Sequence, residues 1–357
     1  MKKRSVALLL GCVLTVLLAP ASVPASAQPV EHHVTSRSAP QAGYYTGDYK
    51  ISLELYSFNA NLNAYDLGRK GAPPLSPIDA IKWAKTAGFD AVDVTAYYFP
   101  GYSGTAMPTK PKATILAYAD QVKALAKQLG LAISGTGIGN DFANPNPAAV
   151  ALDVRRAEFW VDIAAEMGAP IMRVFSGAVP SDINTYGWAS IAQHRIVPAL
   201  QQVAAYAATK GVKIGLQNHG DMTATAAQTI QIDQWVNNPN LSLIDDTGYF
   251  QPFQATNGNG YPWYSDIGAV LPYASSIYLK LKPDGEDSTG PLMNFNQVFT
   301  LMRQNNYEGY VPLERLWAKT DPDNPKNQKT PPYTEVSQFL AQVRAAEVAT
   351  KTAPPGS

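Results

Sequence analysis

The sequence has almost no cysteine, no net charge and no apolar run long enough for a membrane span. Its single cysteine is Cys12, so the rest of the chain has neither disulfides nor thiol chemistry. The 28 basic and 28 acidic residues balance, and lysines and arginines do not cluster in the body of the chain, which argues against a nucleic acid partner. Stability must come from an apolar core, and 46% hydrophobic residues are ample for one.

The first 27 residues predict a signal peptide. A basic start is followed by an apolar run from Val6 to Ala19 and by the small residues Ala25-Ser26-Ala27. This run is shorter than the roughly 20 residues that a membrane span needs. We expect cleavage after Ala27 and a secreted or periplasmic protein. A lipoprotein site at Cys12 is the alternative, although apolar sequence continues beyond the cysteine.

Residues 28–48 predict a flexible leader, residues 350–357 a flexible tail, and residues 49–349 a single domain in which two patterns alternate. Helical segments such as 76–88 end at Gly88, Gly130, Gly168 and Gly211, and each glycine precedes an apolar segment typical of a buried strand. The predicted strands are 50–58, 91–99, 131–137, 170–177, 212–218, 241–246, 276–282 and 309–315.

Eight β–α units favour a closed, parallel (β/α)8 barrel. An open doubly wound sheet is the alternative, but no GxGxxG motif follows the first strand.

Active sites of such barrels lie at the C-terminal ends of the strands. Polar residues at those ends are Asn140 and Asp141 after strand three, Arg173 on strand four, Gln217 and His219 on strand five, Asp246 and then Tyr249 at strand six, Lys280 and Lys282 on strand seven, and Glu314 and Arg315 on strand eight. Lys280 and Lys282 alternate, so both are expected on the interior face, where Asp246 and Glu314 are the natural carboxylate partners.

Several of these residues also have a purely structural interpretation. Arg173 can form an ion pair with a neighbouring strand, Asp246 can cap a helix, and His219 can serve packing alone. Glu54, at the end of strand one, is assigned a structural role.

Six stretches make the chain from Lys50 to Trp317 similar to one family. They are GFDAVDVTAYYFPGY, ISGTGIGNDFANP, MGAPIMRVFSG, GVKIGLQNHGD, DDTGYF and VPLERLW. They resemble the xylose isomerase-like TIM barrels, a superfamily of sugar isomerases, epimerases and AP endonucleases, and in particular its secreted sugar phosphate isomerase/epimerase-like proteins. DNA repair is disfavoured by the export signal, the neutral charge and missing histidines. Export also argues against a literal sugar phosphate substrate.

The resemblance implies one divalent metal (Mn, Mg or Zn), held by Glu, Asp, His and Glu on strands five to eight. By position, Asp246 and Glu314 match two ligands, whereas Gln217 and Lys280 replace the other two. Loss of a carboxylate and gain of an ammonium change the site by two positive charges, so Lys280 is a candidate to occupy the metal's place. A metal bound by Asp246, Glu314 and Gln217 remains the alternative.

The resemblance implies an enzyme that abstracts a proton next to the carbonyl of a sugar or glycan-derived substrate. Catalysis is expected from Lys280, Glu314, Asp246 and His219. The other polar residues of the strand ends, namely Gln217, Arg173, Asp141, Asn140, Lys282, Arg315 and Tyr249, are expected to bind the substrate. A lyase or hydrolase on keto-glycosides or uronate-containing glycans and a non-catalytic carbohydrate-binding barrel are the alternatives. The oligomeric state is not readable from the sequence.

Overall fold

The computed structural model describes residues 43–250, 263–282, 292–319 and 321–352. The predicted signal peptide, residues 28–42 of the leader and residues 353–357 of the tail lie outside this part. The described chain forms a closed barrel in which eight parallel strands pair in sequence order and β1 pairs with β8. The (β/α)8 barrel predicted from the sequence is therefore confirmed.

The strands are short, and most of their residues are buried. They are β1 (Lys50–Glu54), β2 (Ala91–Asp93), β3 (Ala132–Gly137), β4 (Ile171–Val174), β5 (Lys213–Gln217), β6 (Leu241–Asp246), β7 (Ala274–Lys280) and β8 (Tyr310–Glu314). Burial on both faces explains why they appear as continuous apolar runs in the sequence.

Helices follow the strands and cover the outside of the barrel. They are α1 (Asn59–Leu67), α2 (Pro77–Ala87), α3 (Lys112–Leu129), α4 (Pro147–Met167), α5 (Ile183–Tyr186), α6 (Trp188–Ile191), α7 (Val197–Ala208), α8 (Ala226–Val236), α9 (Trp263–Val270), α10 (Phe295–Gln304) and α11 (Tyr333–Ala349). A π-helical turn at Ala192–Ile196 leads into α7. Ser76 caps α2 by accepting a hydrogen bond from the Asp79 N–H, and Gly88 ends it at a φ of 94°.

The barrel interior contains a small apolar layer of its own. Ile171, Ile244 and Tyr278 pack together there, apart from the main core. Gly215 makes room for them, because a Cβ at this position would lie 2.7 Å from Ile244 Cδ1 and 2.8 Å from Ile171 Cδ1. Since alternate residues of a strand share a face, the interior positions next along the strands are Arg173, Gln217, Asp246 and Lys280. The sequence thus places polar groups at the C-terminal mouth of the barrel.

No helix in the described ranges combines the length and the apolar character that crossing a membrane requires.

Candidate active site

A buried lysine between two carboxylates forms the centre of the candidate site. Lys280 ends β7 and is 1% exposed. Its Nζ lies 3.0 Å from Asp246 Oδ2 and also donates a hydrogen bond to Glu314 Oε2. Parallel pairing sets Lys280 directly beside Glu314 on β8. Burial alone would lower the pKa of Lys280, but Asp246 and Glu314 outweigh it and raise this pKa, so the ammonium stays charged.

Two residues of β5 and its following loop fix Asp246 in position. The Gln217 Nε2 group donates a hydrogen bond to Asp246 Oδ2. Asn218 bridges to the Asp246 backbone, donating to its carbonyl at 2.8 Å and accepting from its N–H at 2.8 Å. Burial raises the pKa of Asp246 to about 6, while the Lys280 charge opposes this shift. Gln217, Asp246, Lys280 and Glu314 therefore form one connected cluster across four strands.

A cavity of about 180 Å³ opens beside this cluster. Polar and aromatic side chains line it: Glu54, Tyr56, Tyr97, Arg173, Phe175, Gln217, His219, Tyr249, Tyr278 and Glu314. Glu314 is the member that joins the cavity to the Lys280 ion pairs. Lys280 and Asp246 lie behind the wall. Of the eleven predicted site residues, five line the cavity: Arg173, Gln217, His219, Tyr249 and Glu314.

Arg173 supplies the cation at the cavity wall. Its Nη1 donates to the Tyr97 hydroxyl at 3.0 Å and to the Ile138 carbonyl, and its guanidinium lies 4.2 Å from the Phe175 ring centroid. Within the described part of the chain Arg173 has no ion pair, so the structural ion pair considered from the sequence is not what holds it. Its Nη2 makes no hydrogen bond to a described residue and remains available to a ligand.

His219 stands in the cavity between two aromatic rings. Its ring stacks on Tyr249, with centroids 4.0 Å apart and planes 20° apart, and lies 4.6 Å from Phe175. Burial lowers the pKa of His219 to about 3, and the charges of Lys280 and Arg173 add to the effect. The imidazole is therefore neutral at physiological pH, so it can exchange hydrogen bonds with a ligand but is a weak base.

Glu54 lines the cavity, although its position in the sequence indicated only a structural role. It ends β1 and accepts hydrogen bonds from the Thr95 hydroxyl and from the Tyr56 N–H. Burial raises its pKa well above the ordinary value, and the nearby charges of Glu314 and Asp93 raise it further. The predicted closed barrel could have indicated a role for Glu54 in the site, because closure places the end of β1 beside the end of β8, where Glu314 lies.

Four of the predicted substrate-binding residues lie away from the cavity. Asn140 bridges to the Phe175 backbone at 2.7 and 2.9 Å, and Asp141 accepts a hydrogen bond from Asn144 Nδ2 at 3.1 Å. Arg315 pairs with Asp321 at 2.8 Å. Lys282 lies beyond the end of β7, which stops at Lys280, and it is not among the residues that line the cavity. That it shares the interior face with Lys280 stays a prediction.

The described residues at the four implied metal positions do not fit a divalent cation. A charged ammonium has no lone pair to donate, and the Lys280 Nζ is bonded to both carboxylates that would bind the metal. Gln217 offers its donor nitrogen, not its oxygen, to Asp246. Among the residues that the structure describes, no group of three or more His, Cys, Asp and Glu side chains could hold a metal ion.

Comparison with known proteins relates the chain to one family and to several solved structures. The family model described as xylose isomerase-like TIM barrel matches residues 81–342. The 3-keto-D-glucoside 4-epimerase YcjR of E. coli is 15% identical, with a TM-score of 0.59 over 83% of this chain and 99% of that one. The D-psicose 3-epimerase of Clostridium cellulolyticum H10 is also 15% identical, with a TM-score of 0.59 over 84% of this chain and 99% of that chain.

The IOLI protein with a bound zinc atom is 12% identical, with a TM-score of 0.60 over 85% of this chain and 100% of that chain. At these identities the likeness is one of fold. No curated protein shows significant sequence similarity to the chain.

Proposed function

Since the chain belongs to the xylose isomerase-like TIM barrel family, we propose that it is a carbohydrate-active enzyme of the sugar isomerase/epimerase type. The names of the solved epimerases that share its fold support this class. The observation that carries the proposal is the ion-paired Glu314 in the wall of a polar, aromatic-lined cavity. A polar pocket at the C-terminal mouth is where a barrel enzyme performs its chemistry.

Glu314 is the proposed base that removes a proton next to the substrate carbonyl. It reaches the cavity, whereas Asp246 is completely buried behind the wall. Lys280 holds Glu314 and Asp246 in place and provides a positive charge in a region of low dielectric, where it stabilises a developing oxyanion. Arg173 donates to a substrate oxygen through Nη2, and the neutral His219 and Gln217 position hydroxyl groups.

Proton abstraction can be tested directly by solvent exchange. The mature protein is incubated in D2O with a panel of keto sugars and oxidised glycosides, and NMR follows deuterium at the carbon next to the carbonyl. We expect exchange with at least one substrate, unchanged by a chelator, and a loss of about 10²–10⁴-fold in Glu314→Gln. The exposed Glu308 provides the control Glu308→Gln, which should keep wild-type activity. Full exchange in Glu314→Gln would refute the assigned base.

A lyase or hydrolase on keto-glycosides or uronate-containing glycans is the second candidate. The unpaired Nη2 of Arg173 favours it, because a buried guanidinium suits a carboxylate or a carbonyl oxygen. Such an enzyme would release an aglycone and an unsaturated or free sugar from the same panel, and chromatography would detect both. Binding of sugars without exchange or release would instead indicate a non-catalytic carbohydrate-binding barrel.

Lys280 is proposed to take the place of the family's divalent metal. Its ammonium pairs with the two surviving carboxylates, so the charge of the cluster is balanced without an added cation. Elemental analysis of the purified protein is expected to find Mn, Mg and Zn well below one equivalent. A stoichiometric metal that is lost in an Asp246→Asn, Glu314→Gln double variant would overturn this assignment.

We also propose that the enzyme acts outside the cytoplasm. The basic start, the apolar run and the Ala25-Ser26-Ala27 sequence support export. Mass spectrometry of the secreted or periplasmic protein should find a mature chain that begins at Gln28.

A further inference from the structure

Two carboxyl groups of the cavity belong to neighbouring strands. In the β1–β8 pairing Leu53 lies opposite Leu313, so the next residues, Glu54 and Glu314, end their strands side by side. Strands in a sheet are about 4.8 Å apart, and both side chains line the same cavity. A ligand in the cavity therefore meets both carboxyl groups on one of its sides.

The surroundings of the two groups differ. Glu314 forms an ion pair with the Lys280 ammonium. Among the described residues, the hydrogen-bond donors to Glu54 are both neutral, namely Thr95 Oγ1 and the Tyr56 N–H. Burial and the proximity of Glu314 and Asp93 raise the pKa of Glu54. The ammonium beside Glu314 favours a carboxylate there, whereas burial of Glu54 next to other carboxyl groups favours a protonated acid, and such a difference suits a base and an acid.

Building on the proposed function, we infer that Glu54 and Glu314 form a one-sided acid–base pair and that the reaction is the interconversion of an aldose and a ketose. Glu314 moves the proton bound to carbon, and Glu54 moves the proton bound to oxygen. Glu54 is then a catalytic residue in addition to its place at the end of β1.

The two groups complete a balanced cycle. The Glu314 carboxylate removes the proton from the carbon next to the carbonyl, and the C–H electron pair becomes the C=C bond of an enediol. The carbonyl π electrons form an O–H bond with the proton of Glu54. The ionised Glu54 next removes the proton from the other enediol hydroxyl, a new carbonyl forms, and Glu314 returns its proton to the former carbonyl carbon. Both carboxyl groups end in their starting states.

The opposite wall of the cavity argues against inversion at a single carbon. Inversion needs a proton donor on the face opposite the base, and β4 lies four strands from β8, the strand of Glu314, in the closed barrel. The cavity residue of β4 is Arg173, whose guanidinium keeps its proton, and the cavity residue of the adjacent β5 is Gln217, whose amide neither gives nor takes a proton in catalysis. His219, beyond it, is neutral with a pKa of about 3.

The substitution Glu54→Gln removes the ability to transfer a proton while it keeps the local structure. Glutamine keeps an oxygen that can accept from the Tyr56 N–H, so the end of β1 is preserved. With the best ketose of the panel, we expect kcat to fall about 10²–10⁴-fold, while the dissociation constant of an unreactive polyol, measured by calorimetry, changes less than threefold. Glu54→Asp keeps the acid but shortens its reach, and it should recover part of kcat.

The outcomes separate this inference from the proposed function. Wild-type protein that exchanges no substrate proton refutes the function. Active wild type with an equally active Glu54→Gln, or with a product inverted at one carbon in place of the aldose–ketose isomer, refutes the inference alone. If Glu54→Gln fails to fold, the assay of Glu54→Asp decides: activity equal to the wild type overturns the catalytic role.

Discussion

At the scale of single residues, we expect the substitution of Lys280 to have a large effect on the stability of the fold. Both of its carboxylate partners are buried, and Asp246 and Glu314 would be left as neighbouring unpaired anions without it. Breaking a buried pair by removing one partner costs about 3–5 kcal/mol. We therefore expect Lys280→Met to lower the free energy of unfolding by that amount at pH 7, as measured by urea denaturation, and to abolish turnover.

A surface pair provides the matched control for this substitution. Lys82 forms an ion pair with Asp79 at 3.1 Å, and the side chains are 55% and 59% exposed. Exposed pairs contribute about 0–1 kcal/mol, so Lys82→Met should leave stability and turnover nearly unchanged. Equal effects of the two substitutions would contradict the central role of Lys280.

Asp245 presents the opposite case, a buried carboxyl group without a partner. Neither of its oxygens has a hydrogen bond within the described structure, and it is completely buried. Burial raises the pKa of Asp245 well above its ordinary value, and the charges of Asp246 and Asp266 contribute. The folded state therefore holds this proton more tightly than the unfolded chain does.

The sign of the pH dependence follows from this raised pKa. Protonated Asp245 is compatible with the fold at low pH, and its contribution to stability is lost as pH rises above the unfolded pKa of about 3.9. Asp245→Asn mimics the protonated form. Thermal denaturation should show the variant more stable than the wild type at pH 8, by on the order of 1–3 kcal/mol, with the difference vanishing near pH 4. A difference independent of pH would show that Asp245 does not titrate as proposed.

At the scale of secondary structure elements, the contact between β3 and β4 positions the cavity cation. Gly137 ends β3, and a Cβ there would lie 2.7 Å from both Cζ and Nε of Arg173. Gly137→Ala should therefore displace the guanidinium from the Tyr97 hydroxyl and cost about 1–3 kcal/mol of stability through overpacking. Substrate affinity should fall with it, as calorimetry can measure. Gly104, where a Cβ would meet nothing within 4 Å, gives the control Gly104→Ala.

The same scale shows what the sequence could and could not predict. The eight strands were recognisable because buried parallel strands are continuous apolar runs, and strand-end positions led to Lys280, Asp246 and Glu314. The alternation that predicted Lys282 on the interior face holds only while a strand continues, and β7 ends at Lys280, so the strand itself does not fix the direction of Lys282. Glu54 was missed because its neighbour Glu314 lies on β8, 260 residues later in the chain, and only closure of the barrel brings the two together.

At the scale of the whole molecule, one buried arginine connects the beginning and the end of the described barrel. Arg303, in the last turn of α10, is completely buried. Its Nη1 donates to the carbonyls of Tyr45 and Gly47 at 2.7 and 3.1 Å, and its Nη2 to that of Glu347 in α11 at 2.8 Å. One guanidinium thus contacts both the segment that leads into β1 and the final helix, which are also joined by the hydrogen bond from the Tyr49 N–H to Glu347 Oε1 at 2.6 Å.

We expect Arg303→Met to destabilise both ends of the barrel together. Three carbonyl oxygens would lose a charged donor, and a buried polar group left unsatisfied costs about 1–3 kcal/mol, so unfolding should become easier by at least about 3 kcal/mol. Hydrogen exchange should accelerate in β1 and α11 alike. Arg155→Met, on the exposed face of α4, should change stability by less than about 0.5 kcal/mol. Faster exchange in only one of the two elements would show that Arg303 does not couple the two ends of the barrel.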